Sequence, residues 1–194
     1  IEDVTPSSKA EVLAKKLGKP PKVTEIILRE SRSVVRTGQG HLIMETKHGW
    51  VCANSGVDIS NVAKGDAVAL LPVDPDRSAR RLRTEIKKIL GKNVAVIISD
   101  TFGRPLREGQ VNVAIGVAGM KPIYDRRGET DLFGYMFRVK QIAIADELAS
   151  AAELVLGQAA EGIPVAIIRG YKFPASENAR ATELIIPREK DLFI

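Results

Sequence analysis

Two runs rich in apolar and β-branched residues, Asn93 to Ser99 and Gln110 to Gly119, lie on either side of the stretch Asp100 to Gly109. Strands that are neighbours in sequence, and that outnumber the helical segments, direct a chain to a mixed α+β architecture of largely antiparallel sheets with flanking helices. His41 to Thr46 and Trp50 to Ala53, joined by Lys47-His48-Gly49, read as a β-hairpin. Asp66 to Leu71, Arg138 to Ala145 and Pro164 to Arg169 are expected as further strands, the last one buried.

Helices are marked by their ends. Thr5-Pro6 predicts a start with Thr5 as cap, Val12, Leu13 and Leu17 forming one apolar face before Gly18. A second helix is expected after Pro20-Pro21, and a third after Asp74-Pro75, with Ala79, Leu82, Ile86 and Ile89 on one side and Gly91 at its close. Asp146 to Leu156 reads as a fourth, and a short helix is expected around Ala179 to Leu184.

At 194 residues the chain can bury a real core, as one domain or two small lobes. The longest apolar runs, such as Val94 to Ile98, are too short to span a bilayer, and no signal segment opens the chain, so a cytoplasmic protein without membrane partners is expected. The net charge of +5 suits anionic ligands but does not demand nucleic acid, because the few aromatics are not interleaved with the basic residues. A single cysteine, Cys52, and two histidines, His41 and His48, leave little for a sulfur- or imidazole-based metal centre. Any metal is therefore expected to be oxygen-bound, as magnesium or manganese.

The chemistry-bearing segments are Asn54-Ser-Gly-Val-Asp-Ile-Ser-Asn61 and Ile98-Ser-Asp-Thr-Phe-Gly-Arg104. Each places an aspartate, Asp58 or Asp100, beside glycine and small polar residues, and Asp100 is expected at the mouth of its strand. Loop carboxylates of this kind hold hard cations with their phosphates, and they also cap turns and strand ends. Thr101 offers a hydroxyl ligand, and Asn61 a polar contact to a nucleotide. The stretch Leu156, Gly157, Gln158, Ala159, Ala160, Glu161, Gly162 and Ile163 reads from its residues alone as a helix C-cap and turn. Arg104, Arg107, Arg126 and Arg127 lie near glycines, which suits phosphate recognition and loop salt bridges equally. No P-loop, Gly-x-Gly-x-x-Gly or Gly-x-Ser-x-Gly pattern is present.

Taken in order, several blocks resemble the coenzyme F420-0:L-glutamate ligase (F420 γ-glutamyl ligase) family. They are the Asn54–Asn61 segment, Leu71-Pro-Val-Asp-Pro-Asp76, Ser99-Asp-Thr-Phe-Gly-Arg-Pro105 and Val113-Ala-Ile-Gly-Val-Ala-Gly119. Arg127-Gly-Glu-Thr-Asp-Leu-Phe-Gly134, Ala145-Asp-Glu-Leu148, Leu156-Gly-Gln158 and Gly162-Ile-Pro164 complete the set. The resemblance covers nearly the whole chain as one domain, 1–194. It implies the F420 γ-glutamyl ligase-like fold, a homodimer, and a GTP-dependent reaction that adds L-glutamate to coenzyme F420-0 and then a γ-linked glutamate to F420-1. It also implies Asp58, Asp100, Thr101 and Gln158 as ligands of magnesium or manganese, as one or two ions, with potassium as a candidate monovalent cation. Asn61 and the Leu156 to Ile163 loop are implied as GTP contacts. Family members carry a further N-terminal segment before the position of Ile1, and its contribution to the nucleotide site is expected to be missing here. The alternative is a non-catalytic fragment, or a nucleotide- and metal-binding module that keeps the fold.

Overall fold

The computed structural model describes residues 1–60, 62 and 67–192. The chain divides into two compact units, Ile1–Pro72 and Val73–Ile194, and it is α+β in class, with antiparallel sheets and helices in both.

The first unit opens with α1 (Ser8–Leu17) and α2 (Pro21–Arg29). The cap of α1 is Ser7, not Thr5: its backbone is extended, and its hydroxyl accepts from the Ala10 N–H at 3.3 Å, so Pro6 stays outside the helix. Ser7 also gives its own N–H and hydroxyl to the Glu25 carboxylate, at 3.0 and 2.7 Å, which ties the start of α1 to the middle of α2. Strands β1 (Ser31–Gly38), β2 (His41–Thr46) and β3 (Val51–Ala53) pair antiparallel in that order. The hairpin of β2 and β3 follows the sequence pattern; β1 does not, because its Ser-Arg-Ser-Val-Val-Arg-Thr run hides its alternation behind polar residues on both faces. Val23 and Ile27 of α2 pack on Leu42 and Met44 of β2 and on Val57, forming the core of this unit. Cys52 is buried within β3, as a small apolar residue would be. Of the strand expected over Asp66 to Leu71, Asp66 lies outside the described residues, and the described part makes a single bridge, Ala69 to Asp58.

In the second unit, α3 (Pro75–Leu90) is capped by Asp74, whose carboxylate accepts from Arg77 N–H at 2.8 Å. The face expected to be apolar is buried at Ala79 and half-buried at Ile86, but Leu82 and Ile89 are 49% and 74% exposed, so its cover is incomplete. β4 (Val96–Arg104) and β5 (Arg107–Ala118) form a long antiparallel hairpin. Farther on, β6 (Tyr124–Asp125) pairs with β7 (Gln141–Ile142), and α4 (Ile144–Leu156) packs along β5. The strand expected over Arg138 to Ala145 is therefore reduced to β7. Asp146 and Glu147 favour the N-terminal turn of a helix and start α4 early.

The free edge of β5 is sealed by side chains. Asn112 N–H donates to Glu153 at 2.7 Å, Ala114 N–H to Asp146 at 2.9 Å, and Val117 N–H to Asp76 of α3 at 2.8 Å. The register steps at Ile115, where Ile98 faces Gly116 but Ser99 faces Ala114. This extra residue switches the outward N–H groups from even to odd positions. Close approach of α3 demands glycine at 116, where a Cβ would meet the Pro75 backbone at 2.5 Å. Pro164 to Arg169 forms no strand: Val165 and Ile167 are more than 70% exposed, against the expectation of a buried one. A strand needs a partner ladder as well as a β-branched composition. The tail carries a 3-10 turn, Ala181–Leu184, where a short helix was expected.

Between β6 and β7 the chain makes a two-stranded ribbon. Arg126, Gly128 and Phe137 carry its backbone rungs, and the Asp131 carboxylate caps its tip by accepting from Phe133 and Tyr135 N–H. Leu132 and Phe133 at that tip are 97% and 94% exposed.

Candidate functional site

Asp58 is delivered by a tight turn. Asn54, Ser55 and Gly56 all have left-handed backbones, with φ of 53°, 57° and 69°. Two of the three are not glycine, and such strain persists only where surrounding contacts hold it. Here the contact is Ser55, fully buried, whose hydroxyl donates to the Glu30 carbonyl at 3.0 Å. Beyond the turn, Asp58 is exposed and its Oδ1 accepts from Ser60 N–H at 2.7 Å and from the Ser60 hydroxyl at 2.8 Å. Asp58 thus caps a local turn, and an ionised carboxylate with about four lone-pair sites keeps acceptors for a cation. Asn61 lies outside the described residues.

Asp100 does not stand at the end of its strand. β4 runs on to Arg104, with Asp100 opposite Val113 and Thr101 opposite Asn112. Thr101 and Phe102 keep β propensity, and β5 supplies a full ladder beyond the aspartate, so the strand continues. Consecutive strand residues point to opposite faces. The Asp100 and Thr101 side chains therefore serve different faces of the hairpin, and one ion bound to both residues would take a backbone oxygen from one of them.

The Thr101 face is polar and closely bonded. The Thr101 hydroxyl donates to Asn112 Oδ1 at 2.9 Å, and Asn112 Nδ2 reaches Ser99 Oγ at 3.4 Å. The Asn112 backbone is held from α4, its N–H by Glu153 and its carbonyl by the Ser150 hydroxyl at 2.8 Å. Both backbone groups turn away from β4, so Thr101 and Asn112 form a non-hydrogen-bonded pair, the type in which facing side chains approach most closely. Beside them a cleft of about 610 Å³ is lined by Gln110, Val111, Ser150, Ala151, Glu153, Leu154, Gly157 and Gln158. The hairpin and the end of α4 thus bring Gln158 into a cleft that shares Glu153 with the Asn112 network.

The Leu156 to Ile163 loop is shaped by its own glutamate. Gly157 N–H ends α4 on the Glu153 carbonyl at 2.8 Å, and Glu161 folds back to accept from Ala159 N–H at 2.8 Å. That backbone hydrogen bond holds the Glu161 carboxyl below the usual carboxylate range. Gly157 has φ 69° and ψ 177°, a region essentially reserved for glycine, and its missing side chain leaves the space that Glu161 fills.

Arg126 and Arg127 are engaged in local pairs with Glu129 and Asp125, and the Asp125 carboxyl is pulled down to about 2, chiefly by its hydrogen bonds from Arg127. Sequence reasoning did not single out Asn112, Ser150 or Glu153. The available signal was a lone polar residue, Asn112, in the otherwise apolar alternation of Val111 to Ala118.

Among the described residues no three His, Cys, Asp or Glu side chains converge on a common point. The donors at hand are instead oxygen atoms of mixed type, from carboxylate, hydroxyl and amide. That set fits a hard cation that keeps water and substrate oxygens in its shell.

The sequence profile of the F420-0:Gamma-glutamyl ligase family matches residues 1–170. The chain belongs to that family. Curated relatives agree along nearly its whole length. Coenzyme F420:L-glutamate ligase of Methanocaldococcus jannaschii is 53% identical over 192 residues, covering 99% of this chain and 76% of the relative. The protein of the same name from Methanothermobacter thermautotrophicus is 48% identical over 194 residues, 100% of this chain and 77% of its own. That from Archaeoglobus fulgidus is 41% identical over 170 residues, 88% and 68%. No helix among the described residues of this family member is long and apolar enough to cross a membrane.

Proposed function

We propose that this chain is a ligase that joins L-glutamate to coenzyme F420-0, and a γ-linked glutamate to F420-1, with GTP as co-substrate and magnesium or manganese as cofactor. What supports the ligase reading above all is identity near 50% over three quarters of relatives named coenzyme F420:L-glutamate ligase. The all-oxygen donor set supports the choice of a hard cation.

A carboxylate is a poor electrophile, so the substrate carboxylate first attacks the γ-phosphorus of GTP. GDP leaves and an acyl phosphate forms. The amino group of glutamate then attacks the acyl carbon, the C–O bond to phosphate breaks, and an amide forms with loss of the amine proton. A divalent ion, when bound, neutralises phosphate charge as it develops. Asp58, Asp100, Thr101 and Gln158 are the proposed ligands; the amide of Gln158 binds a cation more weakly than a glutamate would. Asn61 and the glycine-bounded loop from Leu156 to Ile163 are the proposed GTP contacts. No covalent enzyme intermediate is required.

A homodimer is part of the same proposal. It is supported by the exposed Leu132 and Phe133 at the ribbon tip and by the uncovered Val165 and Ile167, apolar surface of the kind that marks association sites.

The test is mass spectrometry of products formed from F420-0, L-glutamate, GTP and manganese. A product heavier by one or two glutamyl residues is expected. Asp58→Asn and Asp100→Asn, which keep side-chain volume but replace a charged ligand by an amide, are each expected to abolish turnover at low metal with the fold intact. Absence of any glutamylated product from the unaltered chain would overturn the ligase reading, and full activity in either variant would remove that residue from the ligand set.

A further inference from the structure

Thr101 is held in a way that fixes what it can bind. A hydroxyl has one hydrogen to give and two lone pairs to offer. In Thr101 the hydrogen is committed to Asn112 Oδ1 at 2.9 Å. Asn112 is 8% exposed, and its amide is oriented by the 3.4 Å contact from Nδ2 to Ser99 Oγ. Its backbone is clamped on both sides, N–H to Glu153 and carbonyl to Ser150. Rotation of the Thr101 hydroxyl would break this part-buried hydrogen bond and leave the Asn112 side-chain Oδ1 without its proton.

We propose that Asn112 is a positioning residue that makes Thr101 an acceptor only, so that its free lone pairs select a divalent cation and refuse a bare phosphate oxygen. This rests on the reading of Thr101 as a cation ligand. The chemistry is that of an outer partner fixing the donor state of an inner ligand: with the hydroxyl proton held on the protein side, none can turn toward the cation. A structural role alone would be met by an apolar residue of similar size, since the hydrogen bonds that tie α4 to residue 112 are made to its backbone.

That feature also makes the test practicable, because the bonds that seat α4 survive substitution at 112. Manganese binding, with manganese alone as probe, is measured by titration calorimetry for the unaltered chain, Thr101→Val, Asn112→Leu and the double variant, each checked for fold by circular dichroism. Loss of the outer partner of a metal ligand typically weakens binding about 10–100-fold. Asn112→Leu is expected to show a loss of at least tenfold, Thr101→Val a comparable loss, and the double variant no more than Thr101→Val alone. If Asn112→Leu fails to fold, Asn112→Ala takes its place in the same cycle. Normal affinity in Thr101→Val overturns the ligand reading and this inference with it. A Thr101→Val loss with no effect of the Asn112 variant, or with two losses that multiply, overturns the positioning role while leaving Thr101 as a ligand.

Discussion

Two buried or clamped carboxyls, one in each unit, respond to acid in opposite senses. In the first, hydrogen bonds from the Ser7 hydroxyl and N–H, with Arg29 beside them, hold Glu25 at about 2 against an ordinary value of 4.5. A depressed carboxyl contributes stability that is complete above 4.5 and lost as pH falls toward 2. In the second, burial raises the carboxyl of Asp146 above its ordinary 3.8, only partly offset by the Ala114 N–H. Its contribution is present below 3.8 and is lost as pH climbs through the raised value. Thermal unfolding from pH 2 to 7 should therefore show Glu25→Gln flattening the acid limb of the first unit, while unaltered protein loses ground to Asp146→Asn as pH rises. Parallel curves for either pair would refute the assignment. Gly157 is a second case where one residue decides. Gly157→Ala places a methyl group in the Glu161 side chain at a left-handed backbone position, and a loss of about 1 kcal/mol or more is expected in equilibrium denaturation. At this scale the sequence was informative about donor types and blind to donor direction. Asp58 and Thr101 announce oxygen chemistry by identity, but only the register that pairs Thr101 with Asn112 shows where the hydroxyl proton goes.

At the scale of elements, α4 and β5 depend on one another more than either reveals in sequence. Glu153→Ala would leave the N–H of the buried Asn112 without its acceptor, at a cost of about 1–3 kcal/mol in urea unfolding. Glu153→Gln, which keeps an acceptor oxygen, should lose distinctly less; equal losses would mean that helix packing and not this bond is what the glutamate supplies. Elements with punctuated ends were legible: Pro21, Asp74 and the glycines at 18 and 91 bound their helices where expected. What was not legible shares one cause. The ends of β4, the fate of Pro164 to Arg169 and the polar strand β1 are set by which edges find partners, a property of the folded unit that local composition does not carry. Asp100 was expected at a strand mouth because apolar character stops at Ser99, yet the ladder from Arg107 to Val113 carries the strand five residues past that point, to Arg104.

For the molecule as a whole, the ribbon tip is the place to test association. In the proposed homodimer, Leu132→Glu combined with Phe133→Glu is expected to give a monomer by sedimentation with unchanged circular dichroism, because both side chains are already free of the unit's own core. An unaltered sedimentation coefficient would send the search to the apolar run around Val165 and Ile167. The sealed edge of β5 bears on how the chain is made. As synthesis proceeds, the Asp76 that will satisfy Val117 is already outside the ribosome when the hairpin emerges, whereas the Glu153 that satisfies Asn112 lies 41 positions further on. At about 5–20 residues per second that interval lasts roughly 2–8 s. Through it the nascent hairpin carries a half-finished margin, protected at its Val117 end and open at its Asn112 end. Ribosome stalling between Ala118 and Glu153 would prolong the time for which the Asn112 end stays uncovered.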